Sequence, residues 1–179
     1  MQIEIVNLAG EVILTLNSAE IRELYSYNNW ANDKLLQFIG TLDSVDFTRD
    51  MSNSFGSIHD TVVHILSAEE LWLSRWIGEE SRMMLAPSTF PDFGSINNRW
   101  GVHQSKINHF VSSLTDDELT QLISYKNVKG ISYSLELWKQ MLHMVNHSTY
   151  HRGQIVTMGR QLNLQPPSLD LIYYYLGHR

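Results

Sequence analysis

The chain has 179 residues, 43% of them hydrophobic and 18% charged, which is enough to bury one substantial core and too apolar for a disordered segment. A formal charge of -6 with scattered Lys and Arg leaves no basic footprint for nucleic acid, and no run of about 18 apolar residues offers a membrane span. The absence of cysteine removes disulfides, thiolate metal sites and cysteine nucleophiles, fits a reducing cytoplasm, and leaves imidazoles and carboxylates as metal ligands.

Residues 1–18 differ from the rest. Ile3 and Ile5 alternate with Gln2 and Glu4, and Leu8-Ala9-Gly10 leads into Val12-Ile13-Leu14. The segment reads either as a short β-hairpin or as a mobile extension, and it lacks the basic start of a signal peptide. Ser18 is the expected N-cap of a first helix that runs to about Ile39 and stops at Gly40. Its buried stripe is Leu24, Tyr27, Ala31, Leu35 and Phe38, recurring at spacings of three and four. Asp43 to Ser54 reads as a polar connection.

Ser57, with Asp60 three residues on, caps a second helix carrying Val62, Ile65, Ala68, Leu73 and Trp76 and ending at Gly78. Glu79 to Gly94 holds Pro87 and Pro91 and reads as loop. A third helix is expected over Ser95 to Leu114, with Ile107, Phe110, Val111 and Leu114 on its inner face and a more polar first half. Thr115 to Glu118 has a capping-box pattern for one helical turn. Leu122-Ile123-Ser124-Tyr125 and Ile131-Ser132-Tyr133-Ser134 then flank Asn127-Val128-Lys129-Gly130 as a small hairpin. The fourth helix, from about Leu135 to Leu162, is the longest periodic segment; Pro166 and Pro167 stop it, and Ser168 to Leu176 offers a short final helix. Four long amphipathic helices and little strand predict an all-α fold, a four-helix bundle over residues 19–179 preceded by the extension.

On the fourth helix His143, His147 and His151 recur at intervals of four. At roughly 100° per residue they form one narrow stripe, continued by Gln154 and Met158, beside a core arc of Met141, Met144, Val145, Ile155 and Val156. Imidazoles at i and i+4 can close on one metal ion because their Cβ atoms lie about 5–6 Å apart. A solvated or capped pair has the same spacing, and the H-E-x-x-H protease motif is absent. His64, between Val63 and Ile65, is the best candidate for a third ligand, although a lone histidine there is more often a hydrogen-bonded core residue. His59, His103, His109 and His178 are expected at the surface. Arg152 reads either as an anion-binding group or as the partner of a carboxylate at the helix surface. The five tryptophans read as core and interface, with Trp30, Trp72 and Trp76 on inner faces, and Tyr173-Tyr174-Tyr175 either caps the bundle or sits in a dimer contact.

Several motifs in order resemble the DinB/YfiT-like metalloenzyme family. They are Tyr27-Asn28-Asn29-Trp30-Ala31-Asn32, Ser57-Ile58 leading to His64, Glu69-Glu70-Leu71-Trp72, Asn146-His147-Ser148-Thr149-Tyr150-His151-Arg152-Gly153-Gln154, and the Pro167 and Asp170-Leu171 end. The resemblance covers roughly residues 19 to 176 and omits the N-terminal segment. It implies an up-down-down-up four-helix bundle, often dimeric, with His64, His147 and His151 as metal ligands and His143 as a neighbour of those ligands or part of the pocket wall. A second histidine common in the family just before the H-R-G-Q run is Tyr150 here, read as non-ligating. Some such proteins are transferases or isomerases using bacillithiol, mycothiol or glutathione.

Three imidazoles leave a coordination position open, as in catalytic sites. An all-nitrogen donor set suits Zn or Ni, with Mn, Fe and Cu as further options. Asn146, Gln154 and Glu69 are candidates to orient the imidazoles. The expected function is a cytoplasmic, metal-dependent transferase, isomerase or hydrolase acting on a small molecule, with a low-molecular-weight thiol as one possible partner. Against it stand a non-catalytic metal- or ligand-binding stress-response protein and a helical interaction module with fortuitous histidines.

Overall fold

The computed structural model describes residues 5–6, 12–13, 16–79, 83–127 and 129–177. At the N-terminus β1 (Ile5–Val6) and β2 (Val12–Ile13) pair antiparallel, Ile5 opposite Ile13 and Val6 opposite Val12, so the expected hairpin is a two-residue ladder. The long helices are α1 (Ser18–Ile39), α3 (Ile58–Trp76), α4 (Phe93–Ser113) and α6 (Leu137–Gln161). The short elements are α2 (Ser44–Thr48), a 3-10 turn at Pro87–Thr89, α5 (Asp116–Leu119), the β3 (Leu122–Lys126) and β4 (Ser132–Glu136) hairpin, and α7 (Leu171–Tyr175).

The ends follow capping chemistry, with three departures from expectation. Asn17, one residue before Ser18, caps α1: its side chain accepts from the Glu20 amide while Glu20 bonds back to the Asn17 amide. Asp43 caps α2 inside the stretch read as a polar connection. Asp92 caps α4, which therefore starts at Phe93 rather than Ser95, and its polar-looking first half buries Ile96 and Trp100. Ser57 caps α3 and the Thr115–Glu118 box opens α5, both as expected. Past α3 the chain turns through Gly78 at φ +71, a conformation that suits glycine.

Contacts between helices give their directions. Along α1, Tyr25 meets Met141, Asn28 meets Arg152 and Phe38 lies against Gly159, so α1 and α6 run parallel. Asn29 meets Asn108 and Asp33 meets Gln104, so α4 is antiparallel to α1. His64, Trp72 and Trp76 meet His147, His143 and Gln140 in turn, so α3 is antiparallel to α6. The result is up-down-down-up. A Cβ at Gly159 would stand 2.8 Å from the Phe38 ring, so glycine permits the close approach of α1 and α6 there.

Two apolar clusters fill the bundle. One, around Tyr25, Trp72, Trp76, Met141 and Met144, lies toward the β3–β4 hairpin; the other, around Leu35, Ile58, Leu66, Trp100 and Ile155, lies toward α2. Tyr174 of α7 packs its ring against Tyr27 and Trp30, closing the bundle over a half-buried Trp30. Tyr175 is exposed. No helix among the described residues is long and apolar enough to cross a membrane.

Candidate metal centre

The two clusters leave a polar layer between them, and the histidines lie at its edge. His64 projects from the middle of α3, and His147 and His151 from successive turns of α6. The Nε2 atoms of His64 and His147 are 3.2 Å apart, and those of His147 and His151 3.1 Å. One ring nitrogen from each residue falls within 4.8 Å of the others. Nitrogens held tetrahedrally at about 2.0–2.1 Å from a zinc ion stand about 3.3 Å from one another, so the triad has the spacing of a ligand set.

Protonation favours the same use. His151 Nδ1 lies 2.7 Å from the Gln154 carboxamide oxygen and donates to it, which leaves the Nε2 lone pair facing the other two rings. Burial, then the neighbouring imidazoles of His151 and His147, lowers the pKa of His64 to about 4. Burial, then His151 and His143, brings His147 to about 4 as well. Both are neutral at pH 7 and able to ligate. His147 Nδ1 is buried without a hydrogen-bond partner among the described residues, and the ring packs against those of His143 and His151. Phe55, just before α3, stacks on His64 at 3.9 Å and meets His151 edge-on at 5.3 Å, covering one side of the triad.

Gln154 is the orienting residue that α6 supplies, with its amide donating to Ser54. Asn146 is exposed, and Glu69 makes its hydrogen bonds elsewhere. In Gln154→Ala, zinc affinity should fall about 10- to 100-fold with little change in melting temperature. Chelator-competition titration measures this; an unchanged affinity would mean that packing alone orients His151.

Beneath the triad lies a network drawn from all four long helices. Glu69 Oε1 accepts from Asn28 (3.0 Å), Asn32 (3.1 Å) and Ser148 (2.8 Å), and Oε2 faces His103 Nε2 at 3.1 Å. Arg152 donates to Asn28 (2.6 Å), Asn32 (2.8 Å) and Thr149 (2.7 Å). The two asparagines thus relay between a buried carboxylate and a buried guanidinium. Burial pushes the Glu69 pKa up, but hydrogen bonding and charge from His103, then bonds from Asn28 and Ser148, outweigh it and hold the group at about 2. Both readings of Arg152, as an anion-binding group and as the partner of a carboxylate at the helix surface, are therefore corrected: only 1% of it is exposed, and its hydrogen-bond partners are neutral side chains inside the bundle.

His103 is also corrected from surface to core. It shares one face with Ile96, Trp100, Ile107 and Val111, a periodicity legible in the sequence, and is 2% exposed. His59 is likewise buried, between Asp60 and the Phe90 carbonyl. His109 is exposed as expected, and His178 lies outside the described residues. Tyr150 is 64% exposed and packs its ring on His151.

Beside the triad opens a cavity of about 610 Å³. His64 and His147 line one part, and Phe55, Leu71, Met84, Leu85 and Pro87 supply apolar wall. His143 is part of that wall, packed on Trp72 at 5.3 Å. Trp72 is thus both core and cavity lining.

Residues 15–176 match the profile of the DinB family. Protein DinB of Bacillus subtilis is 24% identical over 157 residues, spanning 85% of this chain and 91% of that protein. The uncharacterised protein YizA of the same organism is 21% identical over 153 residues, 84% of this chain and 92% of its own. The crystal structure of a DinB-like protein from Bacillus cereus superposes with a TM-score of 0.68 at 18% identity, covering 87% of this chain and 99% of that one. The helical bundle, the cluster of three histidines and the profile match over nearly the whole length agree: this chain belongs to the DinB family.

Proposed function

We propose that this protein is a metal-dependent enzyme that holds one divalent transition ion on His64, His147 and His151 and acts on a small molecule in the adjoining cavity. The observation that carries the reading is the convergence of three imidazole nitrogens, two pairs at 3.1 and 3.2 Å, at the edge of a largely apolar cavity. A bound ion would supply a Lewis acid with an open coordination position. Zn or Ni suits the all-nitrogen donors best, with Mn and Fe as alternatives.

The chain's own residues then bind and position. Gln154 holds the tautomer of His151. Phe55 limits water on one side of the triad, and Trp72 with His143, packed edge to face, gives the substrate an aromatic wall. Transfer of a low-molecular-weight thiol to an electrophile is the reaction class that family membership favours.

The zinc-reconstituted protein is expected to accelerate loss of thiol from glutathione or bacillithiol in the presence of an arylating or alkylating electrophile, and a chelator should abolish this. One metal per chain with a large gain in melting temperature but no turnover on any thiol would favour a non-catalytic metal-binding protein instead.

A further inference from the structure

We infer that Arg75 is the anion-reading residue of the cavity, and that the cavity takes a small organic acid with an apolar body, its carboxylate lying away from the triad. The inference rests on the proposed reading of the cavity as a substrate site. On α3, His64, Ala68, Leu71, Trp72 and Arg75 all line the cavity, spaced as one helix face. At about 1.5 Å of rise per residue, the Cα of Arg75 lies about 16 Å along the axis from that of His64. The two ends of the cavity are thus set apart by three helical turns.

The guanidinium is held in plane. It lies over the Trp72 ring at 4.6 Å and the Tyr125 ring at 4.8 Å, and Nη2 donates to the Lys126 carbonyl at 2.9 Å. That bond uses one of five N–H donors. Among the described residues no carboxylate forms an ion pair with Arg75, whereas Arg99 is bound through two nitrogens to Glu70 at 2.6 and 2.8 Å. Asn127, also lining the cavity, uses its carboxamide oxygen to accept from the Lys129 and Ile131 amides, which leaves its NH2 as a further donor. The carboxylate among the lining residues, Asp60, sits one turn before His64 on α3 and contacts His59 at 2.7 Å. Between the two ends, Trp72 and His143 pack edge to face in the wall. One end of the cavity therefore offers an oriented, half-desolvated cation with spare donors, the middle is apolar and aromatic, and a carboxylate meets the cation's geometry.

The test compares 4-phenylbutyrate with its uncharged isostere 4-phenylbutyramide, read by tryptophan fluorescence and calorimetry on the full chain, both chelator-stripped and zinc-loaded. The acid should bind about tenfold or more tightly than the amide in both forms. In Arg75→Gln the difference should shrink to about twofold with amide affinity kept, and Arg75→Lys should retain part of the preference. If Arg75→Gln also weakens the amide, Arg75→Lys decides, because a preference lost there as well overturns the inference. Equal binding of acid and amide, no saturable binding up to about 10 mM, or a preference that survives in Arg75→Gln overturns it too. So does a preference seen only with zinc, which would put the carboxylate on the ion. Failure to bind zinc would sink the metal reading while leaving the stripped-protein comparison readable.

Discussion

The His147→Ala protein should purify with at most about a tenth of the metal carried by the unaltered chain, and its zinc affinity should fall by about three orders of magnitude. His147 is the middle member of the triad, with its Nε2 3.2 Å from that of His64 and 3.1 Å from that of His151. Zinc held by protein ligands is worth about 10–16 kcal/mol, so the loss of one of three imidazoles costs about 3–5 kcal/mol. The fold should survive, because the ring is half-buried and its Nδ1 bonds to nothing among the described residues. His143→Ala is the matched control: its ring centroid lies 6.0 Å from that of His147 and packs on Trp72, so metal content should be unchanged. Elemental analysis of both variants, with circular dichroism to verify folding, checks the pair. Equal metal loss in both, or no metal in the unaltered protein under replete conditions, would falsify the assignment of His64, His147 and His151 as ligands.

Glu69→Ala should be the most destabilising single substitution in the polar layer, at about 3–5 kcal/mol, with a melting point about 10 °C lower or more. Glu69 is 2% exposed, and its removal strands donors on Asn28, Asn32, Ser148 and His103 around a guanidinium that is 1% exposed. Arg152→Met should be costly for the reciprocal reason, and the double variant should cost less than the sum of the two, since neither buried charge is then left without its complement. The pH dependence has a definite sign. Glu69 titrates at about 2 in the folded chain against an ordinary 4.5, so its contribution is fully present above about pH 4.5 and is lost as pH falls toward about 2. Thermal melts across that range should show the unaltered protein losing stability on acidification more steeply than Glu69→Ala. A melting point unchanged within about 2 °C at neutral pH would show that the layer is not what holds the helices in register.

Much of the frame is legible without coordinates. Ser57 with Asp60, the Thr115–Glu118 box, Gly40 and Gly78 mark helix ends through chemistry confined to three or four neighbouring residues. The i, i+4 stripe puts His147 and His151 on one face for the same reason. Boundaries slipped where two capping residues compete: Asn17 beside Ser18 supplies the capping box, and Asp92 starts α4 before the expected Ser95. The short helix at Ser44–Thr48 is too brief for periodicity to reveal.

The polar residues were harder to place, and for one reason. Burying an arginine, a glutamate or a histidine is costly unless its partners are already in position. For Arg152 and Glu69 those partners come from other helices, with α1 supplying Asn28 and Asn32 and α4 supplying His103. Local sequence carries no record of such a partner, so the buried setting of Arg152 was hidden, whereas the buried face of His103 was open to reading from the spacing of Ile96, Trp100, Ile107 and Val111. By itself the chain determined its helices, their apolar faces and the pairing of two histidines, because those are relations within a turn or two of backbone. Only the packing of α3 antiparallel on α6 could decide that His64 meets that pair, and only the hairpin folding against α3 could bring Tyr125 over Arg75. Both depend on crossing geometry between segments far apart in the chain.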